Sequence, residues 1–277
     1  MATVREVVAI LDAAYPPALA ADWDAVGLVC GDPGAEVRRI LLAVDPVATV
    51  VDEAIEIDAQ LIITHHPLYL RGVTSVAATD AKGTLVHRLI SHDIALLTAH
   101  TNADRANPGV SDALAVTLGL VDLKPLAPLA DPSVGTGRIG VLPEAVTLEQ
   151  FAEHVAAVLP ATEHGVRVAG DPQATVRTVA VCGGSGDDLL AAAAGADAYV
   201  TADLRHHRAL DHLANGGCAL IDVAHWASEW PWLAQAADVL AAALAAAGTT
   251  VVVSTQPTDP WTVDWTTAWT AHRGSIR

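Results

Sequence analysis

Three runs of apolar and β-branched residues in this chain end in histidine. Leu61-Ile62-Ile63-Thr64 opens onto His65-His66-Pro67, Ile94–Thr98 onto His100 and Asp104, and Ala219–Val223 onto His225 and Glu229. Short continuous apolar runs bounded by turn residues have the form of fully buried strands. Between them the period changes to that of helices. Val4, Val7, Val8 and Leu11 share one helical face behind Thr3 as N-cap. Ala48–Ile57, Lys82–Ser91, Val110–Leu118, Arg205–Ala214 and Pro231–Ala247 predict further helices, as does Leu148–Leu159, where Thr147 and Gln150 form a capping box. Gly183-Gly184-Ser185-Gly186 turns into an Ala-rich helix at Asp187–Ala194. Other strands are expected within Asp22–Gly31 and at Arg39–Val44, Gly137–Leu142, Val166–Val168, Val176–Val181, Ala198–Thr201 and Thr250–Ser254.

The β-α-β order with short crossovers predicts mostly parallel sheets and right-handed connections, an α/β fold. At 277 residues, two interlinked α/β lobes are expected rather than one compact domain. Residues 121–137, rich in Pro, Asp and Gly, mark the expected boundary. The metal-binding lobe would be 1–125 plus 220–277 and the second lobe 126–219.

Composition narrows the function. Apolar residues make up 52% and charged residues 17%, enough apolar material for large cores. A net charge of −17 disfavours a nucleic-acid partner, which needs clustered Lys and Arg. Cys30, Cys182 and Cys218 form no CxxC pair, and the N-terminus lacks a signal-peptide core, so a cytoplasmic protein with reduced thiols is expected. The run Leu233–Gly248 contains Gln235 and Asp238 and is too short to span a bilayer, so no membrane partner is expected. Trp261, Trp265 and Trp269 share a helical face near the C-terminus, suited to covering a core or a subunit contact.

The strand ends carry the chemistry. Ligands gather outside the carboxyl ends of strands in open α/β sheets, so His65, His66, Asp104, His225 and Glu229 are expected to converge. Adjacent strand residues point to opposite faces, and the pair His65-His66 can share a site only where Pro67 breaks the strand. His225 and Glu229, and likewise His100 and Asp104, stand four apart, on one face of a helical turn. Imidazole and carboxylate without thiolate suit Zn, Mn, Fe, Co or Ni. Five such donors exceed what one catalytic zinc needs and suit two carboxylate-bridged ions. His100 is the candidate for proton transfer, set against a structural hydrogen bond at the strand end. Asp203 with His207, Asp45, and the Gly183–Gly186 loop as a phosphate cradle are weaker candidates, each with an ordinary turn or packing role as its alternative. His87, His92, His154, His164, His212 and His272 lack partners in sequence and read as packed or surface residues. There is no GxSxG and no Walker lysine.

The ordered segments Thr64–Pro67 (THHP), Ala99–Asp104 (AHTNAD) and Ala224–Glu229 (AHWASE) resemble the NIF-three-like dinuclear metal-centre family, also labelled GTP cyclohydrolase I type 2 homologues. The resemblance extends to Trp23-Asp24 with Val26-Gly27-Leu28, the Gly183–Gly186 loop, Thr201 with Asp203 and His207, and Asp259-Pro260. Ala25 and Ala202 depart from the family pattern without touching a proposed ligand. The resemblance implies two divalent metals per subunit held by His65, His66, Asp104, His225 and Glu229, one carboxylate bridging. It also implies a metal site in the cleft between the two α/β lobes, a ring-shaped homohexamer, and the short form of the family without its inserted domain. A metal-dependent hydrolase acting on a nucleotide or other small anionic molecule is therefore expected. A non-catalytic metal-binding or scaffold protein is the alternative of a different class.

Overall fold

The structure is a computed structural model and describes residues 1–263. The predicted positions Trp265, Trp269 and His272 lie outside the described residues. In chain order the elements are β1 (Ala2–Thr3), α1 (Val4–Ala14), β2 (Gly27–Cys30), β3 (Glu36–Val37), β4 (Arg39–Ala43), α2 (Ala48–Glu56), β5 (Leu61–Thr64), α3 (Ala81–Ser91), β6 (Ala95–Thr98), α4 (Thr101–Arg105), α5 (Val110–Thr117), β7 (Val121–Pro128) and β8 (Gly135–Thr147). They continue with α6 (Leu148–Val158), β9 (Arg167–Ala169), β10 (Thr175–Ser185), α7 (Leu190–Ala193), β11 (Ala198–Ala202), α8 (His206–Ala214), β12 (Ala219–Val223), α9 (His225–Leu244) and β13 (Thr250–Val253).

Two α/β sheets result. The first has the order β13-β4-β5-β6-β2, parallel except for β2 at its edge. Leu61 and Ile63 pack on one face, Ile62 on the other, each against helices. A parallel sheet covered on both sides explains why its strands read as unbroken apolar runs. The second sheet has the order β7-β8-β10-β11-β12-β9 and is mixed, with β10, β11 and β12 parallel at its centre. It too is covered on both faces, by α5 and α6 over Val179, Val200 and Ile221, and by α7 and α8 over Tyr199 and Leu220.

Several expected boundaries move. Residues 121–137 are a β-hairpin rather than a linker: β7 pairs antiparallel with β8. Its Pro125 and Pro128 are tolerated because β7 is an edge strand with no ladder to feed on its outer side. β12, assigned from sequence to the first lobe, pairs with β11 and β9 in the second sheet; the chain rejoins the first sheet only at β13. The helix expected from Pro231 begins at His225 and carries Pro231 inside it, tertiary packing of Trp226, Trp232 and Leu233 overriding the local break. Among the described residues no helix is long and apolar enough to cross a membrane.

A buried ion pair ties α5 to β8 of the second sheet. Arg138 on β8 is 1% exposed, and its guanidinium donates to both Asp112 oxygens, on α5, at 2.7 Å. It also donates to the carbonyls of Gly135, Gly137 and Ala106. Asp112 in turn accepts from the Gly109 N–H, so both partners are satisfied. Removing one side leaves an uncompensated buried charge. Asp112→Ala is expected to lower unfolding free energy by about 3–5 kcal/mol. Asp188→Ala, which breaks the exposed pair with Arg208, should cost less than about 1 kcal/mol. Urea unfolding of the two variants in parallel measures the difference.

Candidate metal centre

Both sheets direct the carboxyl ends of their parallel strands at one point. Asp45, His65-His66 and His100 follow β4, β5 and β6; Gly184, Asp203 and His225 stand at the ends of β10, β11 and β12. The β4–β5 ladder runs on past the strand end, with the His65 N–H donating to Ala43 and the His66 N–H to Val44. The Thr64 hydroxyl donates to the His66 carbonyl at 2.8 Å and turns the chain there. Both rings consequently reach the same cavity, their centroids 5.0 Å apart, with His65 fully buried.

Every imidazole of the cluster is fixed through Nδ1. His65 Nδ1 donates to the Ala99 carbonyl at 2.9 Å, His66 to Asp45 at 2.6 Å, His225 to Asp203 at 2.6 Å and His100 to Asp24 at 2.8 Å. Such acceptors set the tautomer and aim Nε2 at the centre, as outer partners of metal-bound histidines do. There Nε2 of His65 lies 3.4 Å from Glu229 and 3.6 Å from Asp104. Nε2 of His66 lies 3.2 Å from Glu229 and 3.2 Å from His225 Nε2, which is itself 3.1 Å from Glu229. Two overlapping donor groups arise, His65–His66–His100 and His66–His225–Glu229, the donor atoms of each within 4.8 Å of one another.

The residues fit a metal. His65 Nε2 and Glu229 Oε2 are buried with no hydrogen-bond partner among the described residues, an expensive arrangement unless a ligand completes it. Gly184 leaves the space: a Cβ there would stand 2.3 Å from Glu229 Oε1 and 3.0 Å from His225 Nε2, and its φ of +70° disfavours any side chain.

The charges agree. Burial opposes protonation of His66, but Glu229 and Asp45 outweigh it and lift the ring to about 10. His225 rises to about 11, burial again being overcome by Glu229 and Asp203. His65 rises in spite of complete burial, through Glu229 and Asp104. Glu229 is held well below the carboxylate range by the three rings, although burial alone would raise it. Burial lifts Asp104, and burial with those same carboxylates pushes the neighbouring Cys182 thiol up to about 12. Without a cation, protons on the rings compensate the buried carboxylates.

Other expectations are redistributed. Asp45 and Asp203 orient His66 and His225, a role that turn chemistry concealed; Asp203 reaches its ring from a left-handed backbone, φ 58°. His207 is exposed at the start of α8, where its ring meets that of His206. The glycine loop is the end of β10, and it feeds only the four-residue α7. Its N–H groups are spent on Ser111, Ser228 and Ala202, so it packs and does not cradle phosphate. Asp24, named in the sequence only as part of the resembling Trp23-Asp24 segment and given no role there, holds His100 and Thr101. His164, read as partnerless, stands 3.4 Å from Asp222 on the wall of a cavity beside His225.

The fold and the site together define a two-sheet α/β protein with a histidine–carboxylate centre of metal-binding type between its sheets. The family model for Duf34/NIF3 (NGG1p interacting factor 3) matches residues 2–260, and the chain belongs to that family. The chain is 53% identical to a GTP cyclohydrolase 1 type 2 homolog of Streptomyces coelicolor over 271 residues, 95% of this chain and 94% of the relative. A homolog of the same description from Mycobacterium tuberculosis is 40% identical over 370 aligned positions, covering 94% of this chain and 97% of the relative. It therefore carries segments that a 277-residue chain lacks. A solved structure of a Bacillus cereus protein related to NIF3 superposes with a TM-score of 0.88 at 27% identity, covering 95% of this chain and all of that one.

Two outcomes follow from the geometry. Gly184→Ala should abolish stoichiometric metal binding while leaving the fold intact, measured by chelator competition beside circular dichroism. Metal uptake should release protons, because His66 and His225 carry them up to about pH 10 and 11 in the metal-free protein. Apparent affinity should therefore keep rising with pH well above the ordinary histidine value near 6.5. The same raised values stabilise the metal-free protein fully below about pH 6.5, a contribution lost as pH climbs through 10 to 11. Calorimetry in buffers of different ionisation enthalpy reads the proton release directly.

Proposed function

We propose that this chain is a metal-dependent hydrolase with two divalent transition-metal ions per subunit, drawn from Zn, Mn, Fe, Co or Ni. The observation that carries the reading is the meeting of the His65, His66 and His225 Nε2 atoms around Glu229, with Asp104 beside His65. His65, His66, Asp104, His225 and Glu229 would hold the ions, with Glu229 the bridging candidate because its two oxygens meet three different rings. What two such ions supply is Lewis-acid activation of water near neutral pH.

The chain's own groups supply orientation and proton handling. Asp45, Asp203 and the Ala99 carbonyl keep the Nε2 lone pairs of His66, His225 and His65 directed inward. Asp24 does the same for His100, which borders the open cavity with Asp104 and is the proton-transfer residue of this reading. The relatives' description as GTP cyclohydrolase 1 type 2 homologs supports a nucleotide or related small anionic molecule as substrate. A ring-shaped homohexamer belongs to the same proposal and is tested by sedimentation. The dense set of four imidazoles and two carboxylates favours the second reading, a metal-binding protein without turnover.

Elemental analysis of untagged protein separates these possibilities. About two metals per chain in the wild type, lost in His65→Ala and Glu229→Ala, is the expected result. Hydrolysis of a nucleotide, phosphoester or amide by the loaded wild type, reduced about a hundredfold or more in His100→Ala, selects the enzyme. Full metal content with no turnover selects the binding protein. No stoichiometric metal after reconstitution overturns both.

A further inference from the structure

Two openings lead from the centre to solvent, and both border His66 and His225. One, of about 450 Å³, is walled by Asp45, Asp203, Asp259, His164, Arg167 and Trp261. The other, of about 480 Å³, is walled by Trp23, His100, Arg105, Thr136, Ser185 and Asp188 beside Asp104 and Glu229. Neither size nor the number of charged groups distinguishes them, since each is lined by three carboxylates and one arginine, but the pairing of those charges does.

At the first opening the single guanidinium is already spent, since Arg167 is paired with Asp222. Asp259 keeps one oxygen buried without a hydrogen-bond partner, and its carboxyl is raised by burial and by Asp203 and Asp45. An anion entering there meets Asp259, which has no ion-pair partner among the described residues, beside Asp45 and Asp203; at the second opening Asp104 and Glu229 face the imidazoles and Asp188 is paired with Arg208. At the second opening Arg105 donates to the Leu19 carbonyl at 3.0 Å and has no carboxylate partner among the described residues. Its charge is not compensated by an ion pair, and it follows Asp104 directly in the chain.

Each opening carries an exposed tryptophan, Trp261 at the first and Trp23 at the second, and Trp23 is the one that adjoins His100. Trp23 is 63% exposed, an unusual position for so large an apolar ring. It meets His100 in a T-shaped contact, centroids 5.9 Å apart and planes at 76°. Asp24, the next residue, is the group that fixes His100. One short segment therefore sets both a flat apolar surface and the ring beside the metal ligands. Thr136 and Ser185 add hydroxyls from the opposite lobe.

We propose that the opening between Trp23 and Arg105 is the substrate subsite, that it takes a planar heterocycle bearing a phosphate, and that Trp23 stacks on the ring while Arg105 holds the anion. The inference rests on the hydrolase reading and adds to it the side of entry and the specificity residues. A base on an exposed aromatic ring gains stacking with little dependence on base identity, and a guanidinium suits phosphate through its planar fork. The Asp259 side is left to cations and water.

The test is equilibrium binding to metal-loaded protein with three probes: guanosine monophosphate, guanosine and inorganic phosphate. Trp23→Leu should weaken guanosine monophosphate and guanosine by about tenfold and leave phosphate unchanged. Arg105→Gln should weaken guanosine monophosphate and phosphate and leave guanosine unchanged. Arg167→Gln, at the other opening, should alter none of them. Metal content is measured on every sample. The subsite is wrong if Trp23→Leu binds guanosine monophosphate like the wild type, if Arg167→Gln is the variant that weakens it, or if fully loaded wild type binds none of the probes. In those cases the metal reading stands. Wild type without metal overturns the hydrolase reading, and the subsite falls with it.

Discussion

A carboxylate that cannot reach water governs this structure. Glu229 sits one turn into α9, 3% exposed, at a depth where an ionised group survives only if positive charge surrounds it. Three rings meet it from two strand ends, His65 and His66 after β5 of the first sheet and His225 after β12 of the second. Each ring is in turn held by an acceptor on its far nitrogen, two of them the carboxylates Asp45 and Asp203. Negative charge thus alternates with imidazole outward from the centre. Such an arrangement is stable with protons on the rings and equally suited to divalent cations in their place.

The same demand explains local features that stability alone would not select. A buried network of this kind contributes less than well-packed apolar residues of similar volume would. Gly184 holds a left-handed conformation beside Glu229, and Asp203 adopts φ 58° to bring its carboxylate onto His225. Left-handed backbone at non-glycine residues collects where function requires a side chain in one place. Trp232, fully buried on the next turn of α9, packs its ring 5.4 Å from that of His65. The apolar core thereby fixes the position of the innermost ligand.

Much of this was legible in the sequence because it is local. His65-His66 at a strand end, and the four-residue spacing of His225 and Glu229, need only strand and helix periods to be read. Asp24 was not legible as a partner of His100, because 76 residues separate them and only the fold brings them together. Asp45 and Asp203 sit in contexts that turns also favour, so composition could not separate the two roles. The hairpin of β7 and β8 resembled a linker because an edge strand accepts the prolines that a central strand rejects. Pro231 resembled a helix start, since proline favours the first turn, yet α9 is held from His225 by contacts distant in sequence.

The centre belongs to neither sheet alone, and this bears on how it works. α9 packs Leu233, Ala236 and Leu240 into the core of the first sheet, while Ser228 on the same helix accepts the Gly184 N–H from the second. Ser111 on α5 accepts the neighbouring Gly183 N–H, and the Arg138–Asp112 pair ties α5 to β8. The lobes are therefore cross-linked most densely right around the ligands. Opening them like a hinge would break the hydrogen bond from the Gly184 N–H to Ser228 and expose Glu229 together. A site so braced is held in its working geometry before anything binds, as a metal centre requires. Exchange with solvent then runs through fixed openings beside His66, and the guanidinium of Arg105, without a carboxylate partner among the described residues, biases what enters at one of them.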